Sequence, residues 1–306
     1  MTKVLIATEK AFAAKAVEGI KKIFADAGME TVLLENYTDP NDLIKAVVDV
    51  DALIIRSDKA NSKVIEAGKN LKIIVRAGAG YDNIDLAAAT EKGIVAMNTP
   101  GQNSNAVAEL TFGMLVFMAR ANFKGGSGTE LKDKKIGIHA YGNVGKNVAR
   151  IAKGFGMEVF AFDPFVSKEA IEKDGVKLVA SVEELYSTCQ YISLNIPATE
   201  KTKKSINFEL LSKMPKGATV VNTARKEVID EEGLKAFFAA KPDFKYISDI
   251  APDCHAELLQ FENRYYSTPK KQGAETSEAN INAGLAAANQ IVDFFKNGTK
   301  TFQVNK

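Results

Sequence analysis

Lys135-Ile-Gly-Ile-His-Ala-Tyr-Gly-Asn-Val-Gly145, running on to Phe160-Ala-Phe-Asp163, is the stretch that decides the fold. Ile136 and Ile138 mark a short apolar strand that enters a glycine-containing turn. Val144, Val148, Ile151 and Ala152 then recur at helical spacing, and Gly154-Phe-Gly156 closes that helix. Glu158 to Asp163 reads as the next strand, which makes one βαβ unit with an acid at its far end. Such a unit aims a helix N-terminus at a pyrophosphate and a carboxylate at a ribose diol.

The glycine fingerprint of dinucleotide sites is incomplete, because Ala140 stands where its first glycine is expected. Ala140 is therefore expected to make the turn with an ordinary backbone. Gly142 permits close approach of the pyrophosphate, and Gly145 permits close packing of helix on strand. Asp163 lies 18 residues beyond Gly145, against a typical spacing of about 20. It is expected to accept hydrogen bonds from both ribose hydroxyls and to repel a 2′-phosphate. Pro164 and Phe165 follow with no arginine, so NAD is expected rather than NADP.

The 306 residues allow two ordinary domains, and 46% hydrophobic with 25% charged residues describes a globular chain with a substantial core. A net charge of +2 supplies no broad field for nucleic acid or an anionic membrane. The two cysteines, Cys189 and Cys254, suggest neither a disulfide framework nor a zinc site, and no metal is expected. The apolar run 112–119 is far shorter than the roughly 20 residues that span a bilayer. The N-terminus reads as a strand rather than a signal peptide, and a reducing cytoplasm is the expected address.

Strand and helix patterns alternate along the chain, which predicts an α/β protein with parallel sheets. Strands are expected at 3–8, 31–35, 51–57, 71–77 and 94–98, and again at 135–140, 158–163, 176–179, 190–196, 218–223 and 244–250. The helix 103–120 is apolar almost all round, so its burial between two domains is expected. The glycines of 125–128 are expected to form a flexible link, and 251–272 an irregular loop. An alanine-rich helix at 275–296 is expected to return the chain to its first domain.

In open parallel sheets, ligands bind beyond the carboxyl ends of the strands. Those ends carry Arg56-Ser57, Arg76-Ala-Gly-Ala-Gly80, Asn98-Thr-Pro-Gly-Gln-Asn-Ser104, Asn195-Ile-Pro197, Asn222-Thr-Ala-Arg225 and Asp249. Three arginines expected at one crevice suit a small anion bearing a carboxylate, a phosphate or both.

Arg76-Ala-Gly-Ala-Gly-Tyr-Asp-Asn-Ile-Asp85, Asn98-Thr-Pro-Gly-Gln-Asn-Ser104, Ala140-Tyr-Gly-Asn-Val-Gly145 and Thr223-Ala-Arg-Lys-Glu-Val-Ile-Asp230 together resemble the D-2-hydroxyacid dehydrogenases. The resemblance runs in order along the whole chain. It implies two flavodoxin- or Rossmann-like domains, the NAD-binding one (99–279) inserted into a discontinuous substrate domain (1–98 with 280–306), and a homodimer. Its nearest branch oxidises D-3-phosphoglycerate at the head of serine biosynthesis. Reduction of glyoxylate or hydroxypyruvate, or non-catalytic NAD sensing as in corepressors, are the alternatives. With little chain beyond the returning helix, no serine-sensing domain is expected.

By resemblance, Arg225 binds the substrate carboxylate and polarises the C2 oxygen, and Asp249 holds the nicotinamide carboxamide. Gly142, Asn143 and Val144 face the pyrophosphate, while Pro197 and Thr223 line the cofactor path. Tyr141, Gly145, Pro164, Asn195, Thr202 and Ala224 complete the expected cofactor set. Arg56, Ser57 and Asn103 are expected at the substrate, with Arg76, Ala77 and Gly78 in a loop over its carboxylate.

Two positions depart from the family pattern. Thr268-Pro-Lys-Lys-Gln-Gly273 stands where the family has Thr-Pro-His, and Cys254, beside Asp253, stands where it has the orienting glutamate. Lys270 is expected to replace the histidine: the neutral amine can take the C2 hydroxyl proton and the ammonium return it. An amine has no ring to orient, so loss of the glutamate is tolerable. Lys271, or His255 after a loop rearrangement, could do the same work, and Asp253 is expected among the catalytic groups. His139 is expected to be structural and Cys254 an ordinary buried thiol.

Overall fold

The computed structural model describes residues 1–305. The chain forms two compact units, Met1–Asn103 with the stretch from Thr276 onward, and Ser104–Glu275.

The first unit alternates β1 (Lys3–Thr8), α1 (Ala14–Asp26), β2 (Glu30–Glu35), α2 (Pro40–Ala46), β3 (Ala52–Ile55), α3 (Ser62–Ala67), β4 (Ile73–Arg76), α4 (Leu86–Glu91) and β5 (Val95–Asn98). Its parallel sheet has the order β2-β1-β3-β4-β5. Because side chains alternate across a strand, Val4, Ile6, Ile54 and Val75 enter one core and Leu5, Leu53, Ile55 and Ile74 the other. Both faces are covered, which is why these strands read as continuous apolar runs. The register pairs Ala7 with Ile55, Ile55 with Arg76, and Arg76 with Asn98. The chain therefore leaves the sheet at one common edge.

The second unit opens with α5 (Ser104–Ala119), then β6 (Lys135–His139), α6 (Asn143–Gly154), β7 (Glu158–Phe162), α7 (Lys168–Glu172) and β8 (Lys177–Leu178). It continues through α8 (Val182–Thr188), β9 (Tyr191–Leu194), α9 (Phe208–Ser212), β10 (Thr219–Asn222), α10 (Glu231–Ala240), β11 (Lys245–Ser248), α11 (His255–Leu258) and β12 (Tyr265–Ser267). The seven parallel strands lie in the order β12-β11-β10-β9-β6-β7-β8. The order reverses at β6, as in a doubly wound nucleotide-binding sheet with one extra edge strand.

Within this unit Ala108, Phe112, Leu115 and Met118 of α5 share a core with Val148, Ala149 and Ala152 of α6. Two expectations are corrected here. Residues 125–128 lie within the unit rather than between units, and Thr129 N donates back to Ala119 O at 2.8 Å. The stretch 251–272 is not irregular throughout: it holds α11 and β12, the latter pairing Tyr246 with Tyr265. Three residues at a sheet edge are too few to show an alternation.

The last helix, α12 (Ser277–Asn297), is capped by Thr276 Oγ1, which accepts from Ala279 N, and ends at the left-handed Gly298. It belongs to the first unit, where a Cβ on Gly284 would lie 2.9 Å from Ile20 Cδ1. Small residues on this face let α12 lie close to α1. The tail is pinned by Asn305, whose Oδ1 accepts from Ala96 N and whose Nδ2 donates to Ile94 O. Lys306, included in the expected substrate domain, lies outside the described residues. Among those described, no helix is long and apolar enough to cross a membrane.

Candidate active site

The turn after β6 is built by an alanine in a glycine's conformation. Ala140 has φ 79°, in the left-handed region that costs an L-residue energy, so the ordinary backbone expected there is corrected. Gly142 is the N-cap of α6, with no side-chain cap and nothing near the position of a Cβ. A Cβ on Gly145 would fall 2.3 Å from Ala140 O. Helix and turn thus touch, and the start of α6, with Asn143 and Val144, carries backbone N–H groups for an anion.

Asp163 follows β7 and is fixed by three amides. Its Oδ2 accepts from Tyr141 N at 2.7 Å, and its Oδ1 from Phe165 N at 2.8 Å and Val166 N at 3.2 Å. A carboxylate offers about four lone-pair sites, so one on Oδ2 remains for a diol, fewer than the expected contact with both hydroxyls assumed. Pro164 beside it is exposed. The Tyr141 side chain is fully buried with its hydroxyl on Asp174 at 3.0 Å, which leaves its backbone as the part near the turn.

Further along the sheet edge, Asn195 Oδ1 is buried without a partner. Thr202 braces its own loop: Oγ1 donates to Pro197 O at 2.5 Å and accepts from Thr199 N. Thr223 is buried with its hydroxyl 3.3 Å from that of Thr111. Asn222 shapes the turn that carries Arg225, accepting from Ala224 N at 3.0 Å and donating to Arg225 O at 3.0 Å. The Arg225 guanidinium is half-buried and donates to Ala224 O at 2.9 Å.

Asp249 is 1% exposed, and a carboxylate so buried needs bonds. Oδ1 accepts from Thr268 Oγ1 at 3.0 Å and Gln272 N at 2.8 Å, and Oδ2 from Gly273 N at 2.8 Å. The loop that presents Lys270 and Lys271, both exposed, is therefore folded around Asp249. The backbone amides of Gln272 and Gly273 and the Thr268 hydroxyl were not among the expected site groups, since no periodicity or charge marks them. Asp253 does not orient the loop's amines or His255: its carboxylate pairs with Lys226 at 2.5 Å and is 78% exposed. His255 is held by the Tyr265 hydroxyl, 2.7 Å from Nδ1. Burial, with Glu231 alongside, pushes the Cys254 thiol up to about 12. His139 is buried, 3.3 Å from the Tyr186 hydroxyl, and burial lowers its imidazole to about 4.

In the first unit the sheet edge carries Arg56, Arg76 and the glycine loop. Arg56 donates to Asn280 Oδ1 at 2.5 Å and lies over the Phe12 ring. Arg76 Nε donates to Arg56 O at 3.0 Å. The Arg76 guanidinium occupies the space of a Cβ on Gly78, 2.0 Å from its Nη1. Asn98 Nδ2 donates to Ala79 O, and Thr99 N to Gly78 O, fixing the loop that starts at Ala77. Ser57 is exposed and Asn103 half-exposed, the latter immediately before α5. Asp58, which sequence reading passed over, is 1% exposed beneath this edge. An acid directly after Arg-Ser at a strand end was the available signal.

Among the described residues no cluster of His, Cys, Asp and Glu could hold a metal. A dinucleotide fits the second unit's edge, by the uncapped α6 start, the open space at Gly142, the spare acceptor on Asp163 and the unsatisfied Asn195 oxygen.

A family profile described as "D-isomer specific 2-hydroxyacid dehydrogenase, NAD binding domain" matches residues 116–269. The chain belongs to this family, and NAD is the cofactor of its second unit. The crystal structure of NAD+-bound 3-phosphoglycerate dehydrogenase from Entamoeba histolytica is 51% identical, covering 100% of this chain and 99% of that one with a TM-score of 0.88. Hydroxypyruvate reductase of Thermotoga maritima is 36% identical over 282 residues, 86% of this chain and 90% of its own length. D-3-phosphoglycerate dehydrogenase of Methanocaldococcus jannaschii is 39% identical over 270 residues, 82% of this chain. The match covers 51% of that relative, so the chain spans about half its length.

Proposed function

We propose that the chain oxidises D-3-phosphoglycerate to 3-phosphohydroxypyruvate with NAD, the first step of serine biosynthesis. The observation that carries this reading is the 51% identity, over the full chain, to a protein called 3-phosphoglycerate dehydrogenase. The arginines at the strand ends supply charge for a substrate with two anionic groups: Arg225 and the loop of Arg76, Ala77 and Gly78 for the carboxylate, and Arg56 with Ser57 and Asn103 for the rest. When bound, NAD supplies the acceptor for the C2 hydride. Arg225 polarises the C2 oxygen, and the side-chain nitrogen of Lys270 takes its proton. One proton is released per turnover, and in reverse the ammonium returns it. A dimer and a reducing cytoplasmic setting, which suits the two buried free thiols, belong to the same proposal.

The test is NAD reduction by wild type, Lys270→Ala and Lys271→Ala, with NAD binding measured beside it. Loss of turnover in the first variant, with NAD binding kept, supports the assignment. An active Lys270→Ala and an inactive Lys271→Ala would move the role one residue, and activity in both would remove lysine from it. The 90% coverage of a hydroxypyruvate reductase favours a second reading. Turnover of a phosphate-free acid equal to that of the phosphorylated one would establish it.

A further inference from the structure

Two carboxylates among the described residues are buried almost completely, Asp249 in the second unit and Asp58 in the first. Asp58 lies three residues beyond β3, beside the point where the order β2-β1-β3-β4-β5 reverses between β1 and β3. Open sheets of this kind form their ligand crevice at that reversal.

Its partners come from three different strand-end loops. Oδ1 accepts from Glu9 N at 2.6 Å, after β1, and from the Tyr37 hydroxyl at 2.7 Å, after β2. Oδ2 accepts from Arg56 N at 3.1 Å, after β3. Two amides and a phenol meet the charge. Burial, and then the bond to Asp58, raise the Tyr37 hydroxyl far above its ordinary value, so it stays protonated and donates. Asn83 Nδ2 reinforces the same turn, donating to Arg56 O at 3.1 Å and Asp58 O at 2.6 Å.

The head of Arg56 rests on the loop whose start Asp58 holds. Its guanidinium makes long contacts to Lys10 O at 3.4 Å and Ala11 O at 3.5 Å, the residues directly after Glu9, and packs on Phe12. One carboxylate thus grips both the backbone root of the arginine and the ledge beneath its head. We propose that Asp58 is a positioning residue that sets Arg56 for the substrate's anionic group. This rests on the reading of Arg56 as a substrate residue.

Asparagine at 58 is nearly isosteric but has one acceptor oxygen. With that oxygen at the Oδ1 place, its NH2 faces the Arg56 N–H, donor against donor; flipped, it faces Glu9 N. Asp58→Asn should raise KM for D-3-phosphoglycerate about tenfold, the effect of one unsatisfied buried amide. The kcat and the NAD dissociation constant should stay within about twofold, because neither depends on this turn. Tyr37→Phe, which removes one bond and keeps the ring, should move KM the same way by about two- to threefold.

The deciding measurement adds Asp58→Asn to an Arg56→Ala background. If Asp58 acts through Arg56, the second substitution adds little to KM there. An undiminished further rise, or an Asp58→Asn KM equal to wild type while Arg56→Ala raises it, overturns the proposal and leaves Arg56 its role. An Arg56→Ala KM equal to wild type overturns the role of Arg56 and the proposal with it. Wild-type turnover of D-3-phosphoglycerate is a separate test of the reading beneath both.

Discussion

Ala140 offers a sharp test of the turn that receives the cofactor, because the sign of the effect differs between two small substitutions. At φ 79° an L-residue carries about 1–2 kcal/mol of local strain. Glycine removes that strain but widens the unfolded ensemble, which returns about 0.4–1 kcal/mol. The half-buried methyl contributes a few tenths more, a fraction of the ~0.8 kcal/mol of a fully buried methylene. Ala140→Gly should therefore gain about 0.5 kcal/mol, or roughly 1–2 °C for a unit of about 170 residues. Ala140→Val places a β-branched side chain in the same region and should lose about 1–3 kcal/mol. Scanning calorimetry without ligand measures both, and the second unit's transition is the one that rises when NAD is added. A glycine variant that melts lower together with a valine variant that melts unchanged would refute the left-handed assignment.

Other consequences are briefer. The His139 imidazole is lowered to about 4 by burial, against an ordinary 6.5. Between those values the unfolded chain binds the extra proton, so stability should fall as pH drops through this window, by up to about 3 kcal/mol. His139→Gln should flatten that acid limb in denaturant titrations, and an equally steep limb would assign it elsewhere. Gly273→Ala puts a Cβ 2.9 Å from Asp249 Oδ2 and 3.3 Å from Val107 Cγ2. By displacing the lysine loop and the Asp249 carboxylate it should lower kcat by ~10- to 100-fold; full activity would show that the loop's position is not demanding. On the reading that Asp163 repels a 2′-phosphate, Asp163→Ala should lower the preference for NAD over NADP at least about tenfold. An undiminished preference would place cofactor discrimination elsewhere.

Strands buried on both faces were legible because apolar runs of three to four residues alternate with segments of 3.6-residue helical spacing. β12 was not legible, since Tyr265–Ser267 pairs along only three positions. The conformation of Ala140 was hidden for a different reason. Residue type predicts backbone only on average, and tertiary contacts such as Gly145 against Ala140 O override it. Positions of the arginines at the strand ends were readable; what holds them was not. Asp58 and Asn222 act through bonds to backbone groups of the arginine turns, which periodicity cannot reveal.

The same physics bears on the proposed role of Lys270. An imidazole must present one particular nitrogen, so a second carboxylate that fixes ring and tautomer has a purpose. An ammonium has three equivalent donors on a freely rotating head, and nothing comparable to fix. What remains necessary is that the backbone beneath it be held in place. Asp249 meets that need by accepting from Thr268, Gln272 and Gly273 on either side of the two lysines. Asp253 is then released from any orienting role, which agrees with its exposed pairing to Lys226. On the proposed role of Lys270, holding the loop by its backbone takes the place of an orienting carboxylate, whereas Lys270→His would introduce a ring that needs its own orienting partner.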